Sequence, residues 1–272
     1  MSSCEKQKDK WRICWHWRLR AFVRSFREWL SAINTLRRVE IPHSLWLVRH
    51  FEYALGGSLS SRLHLPVRPD GSPLPWYPYA AIHFLEQFDL SNCVVFEYGS
   101  GNSSLFWSAR ARSVYSVEID PVWHEQIRSQ LLPNQHLSLE TDARKYARKI
   151  CDYPDKFDVI VIDGAVRRLC ASYAVSKLTE NGFIILENSD RYPETARYLR
   201  MLGFQQIDLI GPGPINSYTW AASIFSMHGI SMPRKCDDGG IQVEGGLCQT
   251  SWDDSMEAII ARYQIPDPQV DG

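Results

Sequence analysis

The fold is decided by residues 93–119, which read CVVFEYGSGNSSLFWSARARSVYSVEI. An apolar run ends at a glycine-rich turn, a helical pattern follows, and a second apolar run begins at Ser113. Apolar runs of this length between turn signals predict buried strands. A strand, a helix and a strand in this order predict a parallel βαβ unit with a right-handed crossover.

The alternation of strand and helix patterns continues beyond this stretch. Five predicted strands are each followed by a predicted helix, and two final strands are joined by a loop rich in glycine and proline. This order predicts an α/β fold with a doubly wound, mostly parallel sheet of seven strands, of which the last is antiparallel. The predicted strands are residues 93–98, 113–119, 136–140, 157–163, 182–188, 204–210 and 219–227. The predicted helices are residues 79–90, 104–112, 121–132, 143–150, 168–179 (closed by Asn181-Gly182) and 193–203.

Composition and charge divide the 272-residue chain into segments. Residues 1–40 hold ten Lys or Arg against four Asp or Glu, whereas the rest of the chain holds 20 against 27, so the total charge of -1 conceals a basic leader. Glycine and proline make residues 56–79 loop-like. The predicted segments are a basic, Trp-rich helical extension (1–55), a linker or lid (56–78), a catalytic domain (79–230) and a loosely ordered tail (231–272) with one helix near 252–263.

Residues 11–40 of the extension show the spacing of an amphipathic helix, because apolar residues recur every three or four positions while arginines lie mainly off that stripe. Such a helix can pack on a protein body, lie at the surface of an anionic membrane or form a dimer seam, and the sequence leaves all three alternatives open. The stripe consists of Trp15, Leu19, Phe22, Phe26, Trp29, Ile33 and Leu36.

Other classes of protein are excluded or disfavoured by simple counts. No stretch reaches the roughly 18–20 apolar residues of a membrane-spanning helix, and the seven scattered cysteines contain no C-x-x-C pair. The near-zero net charge gives no reason to expect a nucleic-acid partner. A reducing cytoplasm is the expected compartment, with peripheral membrane attachment and mitochondrial targeting left open.

The turn after the first predicted strand has the features of a nucleotide site. Gly99 and Gly101 allow a tight turn and a close approach of ligand to backbone at the start of a helix. Ser104 replaces the third glycine of the dinucleotide fingerprint, and Glu97 precedes the first glycine by two residues. A carboxylate at that position can bind an amino group but would repel a pyrophosphate.

Two further carboxylates follow the next two predicted strands. Glu118 lies nineteen residues after Gly99, where an acid can accept hydrogen bonds from both ribose hydroxyls. Asp142 follows the third strand, where it can accept from the exocyclic amine of adenine, although a helix cap is an alternative role. A ligand with adenosine, an amino-acid portion and no phosphate fits this set, and S-adenosylmethionine has that composition.

With the motifs FEYGSGNSS, VEID, TDA and FDVIVIDG in this order, the chain resembles class I S-adenosylmethionine-dependent methyltransferases over roughly residues 75–228. The resemblance implies a seven-stranded sheet with a reversed last strand. It also implies that Glu97 lies near the amino group of the cofactor, with the glycine turn under its methionine. Glu118 would then bind the ribose, and Asp142 the adenine.

The reacting end of the site is expected after the fourth and fifth strands. Asp163, Glu187 and Asn188 resemble there the magnesium ligands of the catechol and caffeoyl-CoA type O-methyltransferases, and such oxygen ligands suit Mg²⁺. Glutamate replaces the second aspartate of that family, so a site without metal is the alternative. In that case Asp163 caps a helix or orients the substrate, and Arg167 or Arg168 holds an anionic acceptor.

The sequence therefore predicts a methyltransferase that modifies an oxygen of a small-molecule or glycan-like acceptor, with Asp163, Arg167 and Asn188 as catalytic residues. Trp76, Tyr77 and residues 211–220 are expected to line the acceptor pocket, as is Tyr79. Two rivals remain open. One is a nicotinamide-dependent oxidoreductase on a similar sheet, and the other is a silent cofactor-binding module whose working part is the basic extension.

Overall fold

A computed structural model describes Leu45, residues 48–227 and residues 261–262 of the chain. The chain divides into two compact units, Met1–Leu55 and Gly56–Gly272. The described part of the first unit includes one π-helical turn, His50–Ala54. The predicted helix at residues 11–40 lies outside the described residues, as does the predicted tail helix except for residues 261–262, which are helical.

The second unit is built on one seven-stranded sheet with the order β3-β2-β1-β4-β5-β7-β6. Strands β1 to β5 pair in parallel, whereas β7 runs antiparallel to both of its neighbours, β5 and β6. This strand order, with an antiparallel last strand, is that of a Rossmann-like sheet, so the predicted fold is confirmed. The strands are β1 (Val94–Tyr98), β2 (Ser113–Glu118), β3 (Gln135–Leu139), β4 (Phe157–Ile162), β5 (Leu178–Glu187), β6 (Gln205–Gly211) and β7 (Trp220–Ser226).

In the described part of this unit, two α-helices precede β1, and one α-helix follows each of β1 to β5, as expected for a doubly wound sheet. They are α1 (Gly57–Leu63), α2 (Tyr79–Leu85), α3 (Asn102–Ser108), α4 (Pro121–Arg128), α5 (Ala143–Arg148), α6 (Arg167–Lys177) and α7 (Pro193–Met201). A core cluster joins buried residues of the central strands to apolar residues of α5, α6 and α7, such as Tyr146, Cys170 and Leu199. No helix among the described residues is long and apolar enough to cross a bilayer.

Two local predictions were wrong. Residues 56–79 are not all loop, because α1 forms there and Ser60 bridges it to the following segment: its Oγ donates to the Val67 carbonyl at 2.9 Å and accepts from the Val67 amide at 3.0 Å. Asn181-Gly182 does not close a helix, because both residues lie inside β5. A Cβ at Gly182 would lie 2.7 Å from the Asp158 carbonyl oxygen, so this glycine serves the close approach of β4 and β5.

The topology places the carboxyl ends of β1, β2, β4 and β5 along one edge of the sheet. The order in which strands are added to the sheet reverses between β1 and β4, since β2 and β3 lie on one side of β1 while β4 and β5 lie on the other. Open α/β sheets bind their ligands at such a switch point. The predicted site residues Glu97, Glu118, Asp163 and Glu187 all end or follow strands at this edge.

Candidate functional site

The glycine turn after β1 is pressed against the end of β4. The Gly99 amide donates to the Val117 carbonyl at 2.8 Å, and its φ of +94° lies in the left-handed region that favours glycine. A Cβ at this position would lie 3.2 Å from the Asp163 carbonyl oxygen. Glycine at position 99 is therefore required both by the backbone conformation and by the packing of the turn.

Glu97, the last residue but one of β1, is a buried acid with only 1% of its surface exposed. Ser104 Oγ donates to its Oε2, and Ser116, its neighbour across β2, donates to the same oxygen at 3.3 Å. The other oxygen, Oε1, has no hydrogen-bond partner. Burial raises the pKa of Glu97 to about 7, although the surrounding serine hydroxyls oppose that shift.

The contacts of Ser104 explain why a serine and not a glycine occupies the third small position of the turn. Its hydroxyl accepts from the Gly101 amide at 3.1 Å while it donates to Glu97, so it links the first turn of α3 to the buried acid. A glycine at this position would leave both of those groups without these contacts.

The other two predicted cofactor acids are held by backbone amides. Glu118 is 7% exposed, accepts from the Ile119 amide at 2.8 Å, and receives the Ser100 hydroxyl on its second oxygen at 3.1 Å. Asp142 is exposed and caps α5, with its Oδ1 accepting from the Lys145 amide at 2.8 Å. Glu118 is thus tied to the glycine turn, whereas Asp142 serves the helix cap that the sequence left as an alternative.

A first cavity of about 170 Å³, the glycine-loop cavity, opens beside this turn. The Trp123 indole donates to the Ser100 carbonyl at 2.7 Å on one side, and Asn102 donates to the Pro66 carbonyl at 3.0 Å on the other. Sequence patterns did not single out four of its lining residues, His64, Leu65, Pro66 and Trp123. The lining residues are His64, Leu65, Pro66, Trp76, Ser100, Gly101, Asn102, Ser103, Trp123 and Asp163.

Asp163 follows β4 and forms an ion pair with Arg167, the first residue of α6. Arg167 Nη2 lies 3.0 Å from Asp163 Oδ1, and Arg167 is 8% exposed. Burial raises the pKa of Asp163 to about 6, against the opposing charge of Arg167.

Glu187 ends β5 and is 2% exposed. The Trp220 indole of β7 donates to its Oε1, Asn188 Nδ2 donates to the same oxygen at 3.3 Å, and Oε2 has no hydrogen-bond partner. Burial, followed by the nearby charge of Asp163, raises the pKa of Glu187 well above its ordinary value.

A second cavity of about 220 Å³, the acid–aromatic cavity, lies at the ends of β4 and β5. It shares Trp76 and Asp163 with the glycine-loop cavity, so these two residues mark where the cavities adjoin. Three aromatic side chains and two acids form much of its wall. The lining residues are Trp76, Asp163, Glu187, Asn188, Arg191, Asn216, Tyr218 and Trp220.

The predicted acceptor-pocket residues are partly separated by the fold. Trp76 lines both cavities and the segment 211–220 contributes three residues, but Tyr77 and Tyr79 are buried in the core. Arg167 and Arg168 do not line the acid–aromatic cavity, and Arg168 lies over the Tyr198 ring at 3.4 Å.

Arg191 is the arginine that lines the acid–aromatic cavity, which the sequence did not indicate. Its Nε lies 3.9 Å from Asp190 Oδ2, and its guanidinium carbon lies 5.4 Å from the centre of the Tyr218 ring. A cavity lined by acids, aromatic faces and a guanidinium can orient a polar molecule through directional hydrogen bonds as well as through its shape.

The predicted magnesium set is not supported. Arg167 contacts Oδ1 of Asp163 and Oδ1 of Asn188, and Oε1 of Glu187 accepts from an indole N–H and an amide, which leaves Oε2 as the one Glu187 carboxylate oxygen without a partner. Within the described part of the chain, no group of three or more His, Cys, Asp or Glu side chains could hold a metal ion.

Several solved structures are similar to this chain. A methyltransferase-like protein from Silicibacter pomeroyi is 19% identical, with a TM-score of 0.38 over 58% of this chain and 91% of that one. A Streptococcus mutans protein in complex with SAH is 16% identical, with a TM-score of 0.42 over 56% and 99%. A ribosomal protein L11 methylase from Lactobacillus delbrueckii subsp. bulgaricus is 20% identical, with a TM-score of 0.40 over 59% and 88%. No protein-family model matches the sequence, and the search of curated proteins found no significant match.

Proposed function

We propose that this chain is an S-adenosylmethionine-dependent methyltransferase whose acceptor is an oxygen of a small-molecule or glycan-like compound. The observation that carries the proposal is the pair of adjoining cavities at the switch point of the sheet, one beside the glycine turn and one between acids and aromatic rings. Group transfer between two bound molecules needs two compartments that meet at the reacting atoms.

The three predicted cofactor acids do not line the glycine-loop cavity, but Ser100 and Gly101, which line it, connect two of them to its wall through hydrogen bonds with Glu118 and with Ser104 beside Glu97. Glu97 is a buried acid with one oxygen that lacks a partner, and an amino group is the kind of ligand that would satisfy it. The ribose would lie against Glu118, where its hydroxyls can replace the Ser100 hydroxyl as hydrogen-bond donors to the carboxylate. The exposed carboxylate of Asp142 can accept a hydrogen bond from the amine of adenine. The cofactor supplies a methyl group activated on a sulfonium sulfur.

Asp163 is the residue best placed to take a proton from the acceptor. It lines both cavities, so it lies where the acceptor oxygen and the methyl group would meet. Transfer forms a bond from that oxygen to the methyl carbon and breaks the carbon–sulfur bond, and the hydroxyl proton passes to a carboxylate. A base with a pKa near 6 suits this task at neutral pH.

The size and walls of the acid–aromatic cavity favour a small acceptor that contains a ring. Its volume of about 220 Å³ is modest, and the faces of Trp76, Tyr218 and Trp220 offer flat apolar surface. A sugar or an aromatic ring stacks on such faces, while Asn216 and Arg191 can bind its polar groups.

The segment at residues 56–78 acts in this proposal as a lid over both compartments. Its His64–Pro66 stretch lines one cavity and Trp76 lines both. The segment is tied to the body by the bond from Asn102 to the Pro66 carbonyl and by the ion pair of Arg68 with Glu86 of the turn after α2. Closure of such a lid would exclude water from the reacting atoms.

A comparison of ligands tests the proposal against its main rival. Calorimetry should show binding of S-adenosylhomocysteine and none of NAD, because the buried carboxylate of Glu97 favours a cation and repels a pyrophosphate. Binding of NAD alone would overturn the assignment.

A transfer assay tests the acceptor. Labelled methyl donor is offered to a panel of phenols, sugars, amines, protein and RNA, and label is expected on a hydroxyl compound. Label only on protein or RNA would overturn the small-molecule acceptor, and cofactor binding without transfer to any acceptor would favour a silent binding module.

A further inference from the structure

Arg167 makes an unusually complete set of contacts at the point where a metal ion was predicted. Its Nη2 donates to Asp163 Oδ1 at 3.0 Å and lies 3.4 Å from Asn188 Oδ1. Its Nη1 donates to the Glu187 carbonyl, and its Nε donates to the Gly164 carbonyl at 3.1 Å. Two of the predicted metal ligands, Asp163 and Asn188, therefore contribute a side-chain oxygen to one guanidinium, whereas Glu187 contributes only its backbone carbonyl.

The surroundings hold this guanidinium in place. The Tyr192 ring lies 4.4 Å from its central carbon, and only 8% of Arg167 is exposed. The planar fork of arginine fits several oxygens at fixed angles, which a lysine ammonium cannot do. The contacts come from the ends of β4 and β5 and from the chain directly after each, so Arg167 joins the two sides of the acid–aromatic cavity.

The backbone around this arginine is strained. Val166, which precedes it, has a φ of 41°, and Asn188, which follows β5, has a φ of 50°. A left-handed conformation is costly for a β-branched residue such as Val166 and is maintained only where the surrounding structure requires it, whereas asparagine tolerates it. Val166 adjoins Arg167 and Asn188 contacts it, so both left-handed residues lie beside this guanidinium.

A divalent cation cannot share these oxygens with the guanidinium. Mg²⁺ requires near-octahedral oxygen ligands at about 2.0–2.1 Å, and the nitrogen of Arg167 already lies against the carboxylate oxygen of Asp163. A second cation at this distance would also be repelled by the first, and strongly so where water is excluded.

We propose that the Arg167 guanidinium is an internal cation that replaces the divalent metal at this site, and that the protein works without a metal ion. Arg167 lines neither cavity, so it is a positioning residue: it holds Asp163 and Asn188 in place through direct hydrogen bonds. The metal-binding part of this proposal rests on geometry alone, whereas its consequence for turnover rests on the proposed function.

Metal binding is tested with Tb³⁺, whose luminescence is excited by nearby tryptophan, and with Mg²⁺ as competitor. The full-length protein is expected to show no binding at this site, because Arg167 occupies the oxygens. Arg167→Ala leaves the carboxylate, an amide oxygen and a carbonyl oxygen together, so Tb³⁺ luminescence should appear and Mg²⁺ should suppress it. Arg168→Ala, one residue further along α6, is the matched control and should bind no Tb³⁺.

Two outcomes overturn the proposal. One is Mg²⁺ or Tb³⁺ binding to the unaltered protein that is lost in Asp163→Asn. The other is a folded Arg167→Ala protein, or Arg167→Gln if the alanine variant does not fold, that gains no metal binding. Circular dichroism shows which variants are folded, and the titration of the unaltered protein needs no variant.

Turnover provides the second readout, in case methyl transfer is established. Activity of the unaltered protein should resist EDTA, and Arg167→Ala should lower kcat by about 10²-fold through misplacement of Asp163. Added Mg²⁺ should restore part of that loss, which a purely structural role would not allow. Loss of activity in EDTA, or no rescue of a variant that does bind Mg²⁺, would contradict the positioning role without affecting the proposed function.

Discussion

Glu97 and Glu187 make an instructive pair, because each lies at the carboxyl end of a strand, is almost fully buried and has one oxygen without a hydrogen-bond partner. They differ in their surroundings. Serine hydroxyls surround Glu97, whereas a fixed indole N–H and the nearby acid Asp163 surround Glu187. Hydroxyls rotate to suit either a neutral or an ionised acid, while an indole can only donate.

This difference leads us to expect different roles for the two ends of the site. Glu97 lies under the glycine turn, where a bound cation can ionise it and the serines can follow. After burial, the nearby charge of Asp163 is the main cause that raises the pKa of Glu187, and Asp163 itself is the proposed proton acceptor. We therefore expect substitutions near Glu97 to change cofactor affinity, and substitutions near Asp163 to change turnover.

The largest effect is expected for Asp163→Asn, which removes the proposed proton acceptor and keeps an oxygen for Arg167. Turnover should fall by about 10²–10⁴-fold, the usual contribution of a general base. Affinity for S-adenosylhomocysteine should stay within about threefold, or ~0.7 kcal/mol. Single-turnover transfer and calorimetry measure the two quantities, and a parallel loss of both would break the division between the two ends.

Asp152→Asn is the control for this variant, since Asp152 is an exposed partner of Lys149 in an i,i+3 pair. The pH profile adds a second check. Asp163 must be ionised to accept a proton, and its pKa is about 6, so kcat/KM should rise with pH through about 6 and then level off. That acidic limb should be missing from Asp163→Asn.

Glu97→Gln should weaken binding of S-adenosylhomocysteine by about 10–100-fold, since a hydrogen bond to a charged group contributes roughly 1.5–3 kcal/mol. Turnover at saturating cofactor should change far less. Glu125→Gln, on the exposed surface of α4, is the matched control and should bind normally. Unchanged affinity in Glu97→Gln would remove Glu97 from the cofactor site.

The buried carboxyl group of Glu97, although it should favour cofactor binding, should destabilise the folded protein without ligand once it is ionised. The pKa of Glu97 is raised from 4.5 to about 7 in the folded protein, so the folded state binds its proton more tightly than the unfolded state. This contribution is complete below pH 4.5 and is lost as pH rises through about 7, a change of about 3 kcal/mol. Thermal melts from pH 5 to 8 should show this loss, and Glu97→Gln should reduce it.

Trp76→Ala should have a smaller effect that falls on both ends, because Trp76 lines both cavities while 46% of it is exposed. We expect about a tenfold loss in cofactor affinity and a similar rise in acceptor KM. Trp123→Ala is the informative comparison, since Trp123 lines only the glycine-loop cavity and should change cofactor affinity alone. If both variants changed the acceptor KM equally, Trp76 would not be distinguished from Trp123 as the residue that contacts both ligands.

The smallest effect is expected for Asp142→Ala. Loss of the α5 cap should lower the free energy of unfolding by about 1 kcal/mol, and loss of the proposed adenine contact should lower cofactor affinity by about threefold. Asp142→Asn keeps both a cap and an acceptor oxygen, so it should resemble the unaltered protein. Chemical denaturation and calorimetry measure the two effects, and a large loss of affinity in Asp142→Asn would show that the charge itself is needed.

Local patterns predicted the sheet well because their causes are local. Buried strands contain continuous apolar runs such as VIVI (159–162) in β4, and Asp120-Pro121 marks the start of α4 with a cap and a fixed φ. The same local reasoning failed at Gly182, where a glycine expected to end a helix lies in a strand. The space there is limited by the Asp158 carbonyl, a contact between two strands that no local pattern reveals.

The sequence by itself determined the order of strands and helices and the acids at the strand ends, since periodicity and turn residues act over a few neighbours. Only the tertiary structure decided what those acids contact. Arg167 contacts oxygens of Asp163 and Asn188 that were predicted to bind a metal. Trp76, predicted for the acceptor pocket, lines both cavities, and Arg191, which the sequence did not indicate, lines one of them. Asp163 and Arg167 are close in the chain, but Asn188 lies 21 positions from Arg167, and the acid–aromatic cavity joins Trp76 to Trp220. These longer-range contacts depend on how the sheet brings its loops together rather than on the residues' neighbours in the chain.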